Sequence, residues 1–372
     1  MKINLLIVED DTPIITSWKQ NIALYNVEAD STYDISAEYI DNLHDASNLI
    51  SEKRFDVIVI DIRLKNNESQ ANKDGNLVIA DAISRTTSLI AVCTAEPSTV
   101  ELPTEQSDLI DVFQKGVAGT NVVEQCLEWL DSKKNLLATV QQMRANFDKE
   151  MAKLFSRSVW PRWSYWFESG APSVTEKALT RHMATHLHAS FLADDELGAH
   201  PEEYFFIPPL QENLDTGDII YQDGKLEIIV TPRCDMLRSK SETATYQLVT
   251  LLDKSETWAD LKDKLAQKKE TGTEKQISSA LSAIKKFTNH NGETGGHFIQ
   301  EFRVKIDGKE ETFGPFYAQF HQLRSIERTE ENKSNLLETR IASLSNEFVP
   351  SLVERLGAYF SRIGTPDYSH PE

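Results

Sequence analysis

Short apolar runs, each closed by an acidic, hydroxyl or basic residue, punctuate the first third of the chain. Ile3–Val8 leads into Glu9-Asp10-Asp11, Phe55–Ile60 into Asp61, Ser88–Cys93 into Thr94, and Asp111–Gln114 into Lys115, with a weaker run at Tyr33–Glu38. Uninterrupted apolar runs of this length suit strands buried on both faces. Between them the period shifts to that of amphipathic helices, over Pro13–Leu24, Ile40–Lys53, Gly75–Arg85 and Asn121–Leu136. Alternation of this kind predicts an α/β fold, a doubly wound five-stranded parallel sheet spanning residues 1–130. Such sheets carry their chemistry at the carboxyl ends of the strands. The polar stretch Lys65–Asp74 reads as a loop longer than most βα connections.

From Asp131 to about Phe155 the helical period runs on from the last helix of the sheet. Leu136, Leu137, Val140, Met143, Phe147, Met151, Leu154 and Phe155 share one stripe. Two readings fit: a linker helix packed on a neighbouring domain, or a helix through which the chain forms a homodimer. The segment Trp160-Pro161-Arg162-Trp163-Ser164-Tyr165-Trp166-Phe167 reads as a core or domain interface, because aromatics bury large areas. A helix over 173–192 opens with Ser173 and Glu176 at capping-box spacing. It carries His182, His186 and His188; the pair at i and i+4 could share a metal, with Cys234 as a distant further ligand. No nearby Cys or carboxylate completes such a site, so surface or hydrogen-bonded histidines are expected.

Beyond residue 200 the pattern turns to β: Ile219–Tyr221, an Asp223-Gly224 turn, Leu226–Val230, Tyr246–Leu252, His297–Ile306, an Asp307-Gly308 turn, Glu311–Phe320 and Leu323–Ile326. A Lys/Glu-rich helical insertion lies at 256–288, and a helix runs from Pro350 to about Ile363. The chain is thus expected to hold a domain over 1–130, a helical linker or interface region over 131–200, and an α+β output domain over 201–372 with a small β-barrel.

Composition narrows the function. A net charge of −19 opposes nucleic-acid affinity, so no DNA partner is expected. No run is long and apolar enough to span a bilayer, and Cys93, Cys126 and Cys234 lie far apart in sequence. These features predict a cytoplasmic protein without disulfides and without a membrane partner.

The strand-end residues suit phosphoryl chemistry. A carboxylate attacks phosphorus poorly unless gathering negative charge is neutralised. Glu9 and Asp10 can hold Mg²⁺ through oxygen, with Asp61 as both nucleophile and ligand and the backbone carbonyl of Arg63 in reach. Thr94 offers a hydroxyl and Lys115 an ammonium to a phosphoryl oxygen. This set resembles the CheY-like receiver domains of bacterial two-component response regulators. The resemblance implies phosphorylation of Asp61 by a histidine kinase or phosphotransfer protein. It also exposes three departures: Gly116 stands where a proline usually follows the lysine, Val112 where an aromatic is expected, and Lys65 where a proline is expected.

Leu214–Ile220, Val230-Thr231-Pro232 and Arg340–Ser345 resemble the MazF/PemK fold, an SH3-like barrel closed by a C-terminal helix. That likeness implies a phosphorylation-controlled ribonuclease, although the family's arginine is replaced by Lys225 and Leu226. Arg233 with Asp235 would be a substitute pair, or else a hydrogen-bonded turn. The domain order also resembles the receiver proteins of Detocs-type anti-phage systems, in particular the phosphate-buffering DtcB-like member. The resemblance implies a phosphate sink; a non-catalytic adaptor is the remaining alternative. No separate catalytic domain is recognisable after residue 130.

Overall fold

The computed structural model describes residues 1–28, 30–64, 74–102, 110–168, 172–192, 199–238, 244–288, 295–306 and 308–362. The chain divides into two compact units, residues 1–194 and 195–372, so the helices that follow residue 131 group with the first.

In the first unit the elements run β1 (Lys2–Val8), α1 (Thr12–Val27), β2 (Asp34–Ile40), α2 (Leu43–Glu52), β3 (Val57–Ile60), α3 (Asp74–Arg85), β4 (Leu89–Thr94), β5 (Ile110–Gln114) and α4 (Val122–Ser132). The five strands are parallel and ordered β2-β1-β3-β4-β5. This is the 2-1-3-4-5 doubly wound order, with its switch point between β1 and β3. Burial explains why the strands read as continuous apolar runs. One face packs Leu5, Ile7, Val57, Val59 and Ala91 against α1 and α4, and the other packs Leu6, Val8, Ile58, Ile60 and Val92 against α2 and α3. The crossover from β4 to β5 occupies only residues 95–109, and its described part holds a single short 3₁₀ turn at Pro97–Thr99. The predicted loop over Lys65–Asp74 lies, up to residue 73, outside the described residues.

The helix expected to run unbroken through residue 131 is instead two helices. Lys133, with φ −92° and ψ 10°, separates α4 from α5 (Lys134–Leu154). The break lets α5 turn beneath the amino ends of the strands. There Leu137 enters the core, Gln141 Nε2 donates to the Lys2 carbonyl at 2.9 Å, and Arg144 reaches Thr87 Oγ1 at 2.7 Å and Asp56 Oδ1 at 3.1 Å. A π-helical turn (Phe155–Val159) and a 3₁₀ turn lead into α6 (Trp163–Phe167) and α7 (Pro172–Leu192). Ser173 is therefore the second residue of α7 rather than its cap, and Pro172 occupies the first position, where its missing N–H costs nothing.

The second unit comprises β6 (Phe205–Phe206), β7 (Asp218–Gln222), β8 (Lys225–Ile229), α8 (Arg233–Arg238), β9 (Thr245–Asp253), α9 (Ser255–Thr271), α10 (Glu274–Thr288), β10 (Gly296–Ile299), β11 (Phe302–Ile306), β12 (Lys309–Phe313), β13 (Phe316–Glu327), α11 (Glu330–Glu338), β14 (Arg340–Leu344) and α12 (Val349–Phe360). The expected closed barrel is not formed among the described residues. Seven strands make an antiparallel sheet, β10-β13-β9-β8-β7-β14-β6, whose end strands are not paired with each other. Two predicted strands are each split. His297–Ile306 breaks after Ile299, and Glu311–Phe320 breaks at the cis Gly314-Pro315 bond, because proline cannot donate to a ladder. The released halves pair as a separate ribbon, β11-β12. The Asp223-Gly224 turn is as predicted: both residues take positive φ, 53° and 73°, which a tight hairpin requires. The predicted insertion is the helical hairpin α9–α10, and Ile363 and Asp307 lie outside the described residues.

A buried polar knot closes the second unit. Asp218 accepts from the Asp215 amide at 2.8 Å, from Ser343 Oγ, and from Arg340 at 3.1 Å. Arg340 also donates to the carbonyls of Asn213 and Gln211. Burial pushes the Asp218 carboxyl up despite these partners. Arg340→Met should strand that carboxylate and cost about 3–5 kcal/mol of stability. The folded state holds the Asp218 proton at a pH where the unfolded chain has released it. The deficit should therefore widen as pH rises from about 4 to about 7, read by urea melts across that range.

Cys93 and Cys126, distant in sequence, are neighbours in the core, their sulfurs 3.2 Å apart as free thiols. Hydrogen bonding to Cys126 and burial push the Cys93 thiol up, which keeps it protonated. Titration of the native chain with an aromatic disulfide reagent should label only Cys234 rapidly, and the other two cysteines after unfolding.

Candidate functional site

Because β1, β3, β4 and β5 are parallel neighbours, the residues that close them meet at one edge. Register places Val8 beside Ile60, Ile60 beside Val92, and Thr94 beside Gln114. Glu9, Asp61 and Lys115 therefore emerge together. Backbone bonds hold that edge: Asp61 N–H to the Val8 carbonyl at 2.8 Å, Lys115 N–H to the Thr94 carbonyl at 2.8 Å, and Glu9 N–H to the Ile40 carbonyl at 2.9 Å.

The side chains converge accordingly. Lys115 Nζ lies 2.5 Å from Glu9 Oε2 and 2.8 Å from Asp61 Oδ2, with all three side chains largely buried. One carboxylate oxygen each of Glu9, Asp10 and Asp61 lies within 4.8 Å of the others, and among the described residues no other group of three such ligands forms. Glu9 Oε1 also accepts from the Asp11 amide at 3.1 Å, which fixes its rotamer. Burial raises the Glu9 carboxyl above its ordinary range, although the Lys115 ammonium works the other way. For Lys115 itself burial would lower the ammonium, but the carboxylates of Glu9 and Asp61 outweigh it and hold it charged. An oxygen-only donor set of this charge fits a hard divalent cation such as Mg²⁺. Thr94 is buried, and its hydroxyl oxygen accepts from the Glu96 amide at 3.3 Å, which leaves its own hydrogen to donate elsewhere.

Two neighbours of the site were not evident from the sequence. A Cβ on Gly75 would stand 2.2 Å from the Asp61 carbonyl oxygen and 2.5 Å from the Ile62 Cα, so only glycine lets α3 begin against the end of β3. A glycine immediately after a polar loop was the available signal. Glu96 pairs with the Arg63 guanidinium, tying the loop after β4 to the loop after β3.

The departures at β5 have visible consequences. Val112 is 38 % exposed, while Phe113 points to the opposite face and packs edge-on against Trp129 at 5.9 Å. Gly116 adopts φ +78°, a left-handed conformation that proline cannot take. The histidines of α7 do not assemble a metal centre among the described residues. His182 lies against Trp166 at 5.2 Å and His186 against His182 at 4.3 Å, with no third ligand in the cluster. In the second unit Arg233 pairs with Asp215 at 2.6 Å and donates to Asn346 at 3.1 Å. Asp235 is thus not its partner, and the segment opens helix α8 instead of forming the expected turn.

No family model and no curated protein matches the chain. Solved structures with similarity include a CheY-like response regulator receiver domain from Methylobacillus flagellatus, at 18 % identity, covering 34 % of this chain and 98 % of that one, with a TM-score of 0.26. A CheY-like receiver domain protein from Methanospirillum hungatei is 19 % identical over 37 % of this chain and 98 % of its own, TM-score 0.27. A Burkholderia pseudomallei response regulator with a phosphorylated aspartic acid, calcium ion and citrate is 16 % identical over 48 % and 92 %, TM-score 0.27. Scores of this size add nothing to the strand order and side-chain geometry.

No helix among the described residues is long and apolar enough to cross a membrane.

Gly75→Ala should force α3 off the Asp61 carbonyl and cost about 1–3 kcal/mol, measured by the urea midpoint. Lys115→Met should leave Glu9 and Asp61 as uncompensated buried charges, a loss of about 3–5 kcal/mol. Adding Glu9→Gln to that variant should recover part of the loss.

Proposed function

We propose that the first unit is a receiver module that accepts a phosphoryl group on Asp61. The observation that carries this reading is the Lys115 ammonium set between Glu9 and Asp61, beside a cluster of three carboxylates. An Asp61 oxygen attacks the phosphorus of a phosphohistidine or acyl phosphate, and the bond from phosphorus to the donor nitrogen or oxygen breaks as the donor leaves with its electron pair. Lys115 stays to pair with the transferred oxygens, and Thr94 donates its hydroxyl hydrogen to one of them. Glu9, Asp10, Asp61 and the Arg63 carbonyl are the assigned holders of Mg²⁺. When bound, the ion neutralises charge on the phosphoryl oxygens. The partner of such a site is a histidine kinase or phosphotransfer protein.

Within this reading the chain acts as a phosphate sink rather than a switch for an attached enzyme. Val112, exposed, and Phe113, packed against Trp129 on the opposite face, support it, because β5 offers no aromatic in place to follow Thr94 when phosphate arrives. A buffering role in anti-phage signalling rests on the resemblance of the domain order to Detocs-type receiver proteins. The ribonuclease alternative has less support, since the sheet of the second unit is open and Arg233 is engaged by Asp215.

Acetyl phosphate with Mg²⁺ should add one phosphoryl group to the wild-type chain, seen by intact mass, and none to Asp61→Asn. Equal labelling of both proteins would refute the assignment. Omitting Mg²⁺ should abolish the wild-type adduct.

A further inference from the structure

Helix α5 and the turn after it carry an apolar stripe that α7, packed beside it, leaves partly exposed. Met143, Phe147, Met151 and Phe155, spaced four residues apart, are 41, 46, 40 and 40 % exposed. The stripe continues into an aromatic turn, where Phe155, Trp160 and Trp163 lie with ring centroids 6.0–6.3 Å apart, Trp160 being 62 % exposed. Phe191 of α7 borders it, edge-on to Phe147 at 4.9 Å. Large side chains at these exposures present on the order of 700 Å² of apolar surface. That exceeds the roughly 300–600 Å² of the largest patch on an ordinary monomer. It approaches the ~800 Å² that each partner contributes to a standard interface.

The charges beside the stripe decide what can cover it. Arg144 is paired with Asp56, Asp148 with Arg54 at 2.5 Å, and Glu150 with Lys153 at 3.2 Å. In a chain of net charge −19 this face is locally neutralised. A nucleic acid or an anionic lipid surface would need a row of free cations along the stripe; Arg144 and Lys153 are engaged, and Arg162 lies over the Tyr165 ring, which leaves only Lys149 and Arg157 against a chain of net charge −19. A second copy presents the same long, neutral, apolar strip and requires no such cations.

We propose that α5 and the Phe155–Trp163 turn form a self-association face. Two copies related by a two-fold axis lay stripe against stripe, with the two α7 helices alongside, to make a four-helix arrangement. This goes beyond the phosphoacceptor reading and stands on the apolar face alone.

Sedimentation velocity of the full chain over a concentration series tests it. The wild type should form dimers, and Phe147→Ser combined with Trp163→Ser should weaken the dimer at least about a hundredfold. Neither residue touches the strand-end pocket, so the double variant should still take a phosphoryl group at Asp61. Should that variant lose helicity by circular dichroism, Met151→Lys, a single change at an exposed site, takes its place with the same expectation. In a Cys234→Ser background, Met151→Cys at mid-stripe should form an interchain disulfide on mild oxidation. A wild type that stays monomeric at every concentration overturns the proposal. So does a dimer that survives these substitutions and yields no cross-link. A monomer that instead binds anionic vesicles or RNA in a Trp160-dependent way also overturns it, by assigning the face another occupant.

Discussion

One buried ammonium, that of Lys115, makes the acidic edge of the first unit tolerable. The sheet order forces Glu9, Asp10 and Asp61 together, and like charges a few ångströms apart at a protein surface repel by several kcal/mol. Lys115 offsets two of them directly, and desolvation leaves Glu9 reluctant to ionise even so. Such an edge is poised to gain from any further positive charge, which is the physical basis for assigning a divalent cation there.

The short strand β3 links that edge to the rest of its unit. Asp61 follows its carboxyl end, while Asp56 precedes its amino end and holds Arg144 of α5. Asp56 also accepts from the Asn4 amide at 2.9 Å, so the same carboxylate stitches β1 and α5 to β3. Helix α5 is consequently fastened to the sheet along its length by Gln141, Arg144 and Asp148, instead of trailing from it as a free linker. A helix anchored on one side by polar bonds and bare on another is suited to present a fixed surface. The exposed stripe is therefore more than the leftover of an imperfect core.

The second unit is organised by different physics. Its core is the inner face of an antiparallel sheet covered by α12, and its loops are pinned by Asp218, Arg340 and Ser343. Those groups satisfy one another so fully that they read as a structural fastening. Arg233, bound to Asp215 and Asn346, extends the same network outward.

How much of this was legible in the chain follows from the range of each interaction. The central strands β1, β3 and β4, the helices around them and the residues at the strand ends were written in local pattern, because burial on both faces demands continuous apolar runs and parallel order sends their ends to one edge. The Asp223-Gly224 turn was legible for the same local reason. Beyond that range, the pattern misled. A smooth helical period across residue 133 concealed a break, because a turn that lets Arg144 reach Asp56 is set by a partner 88 residues away. Continuous β pattern across Gly314-Pro315 and Ile299 concealed the splitting of two strands, and the open sheet order could not be read from strand count. Gly75 looked like an ordinary helix start until the Asp61 carbonyl was found against it. The sequence by itself determined which residues carry charge and where strands end. Only the tertiary structure decided which charges meet, which apolar stripe stays bare and whether a sheet closes, since those depend on contacts between segments far apart along the chain.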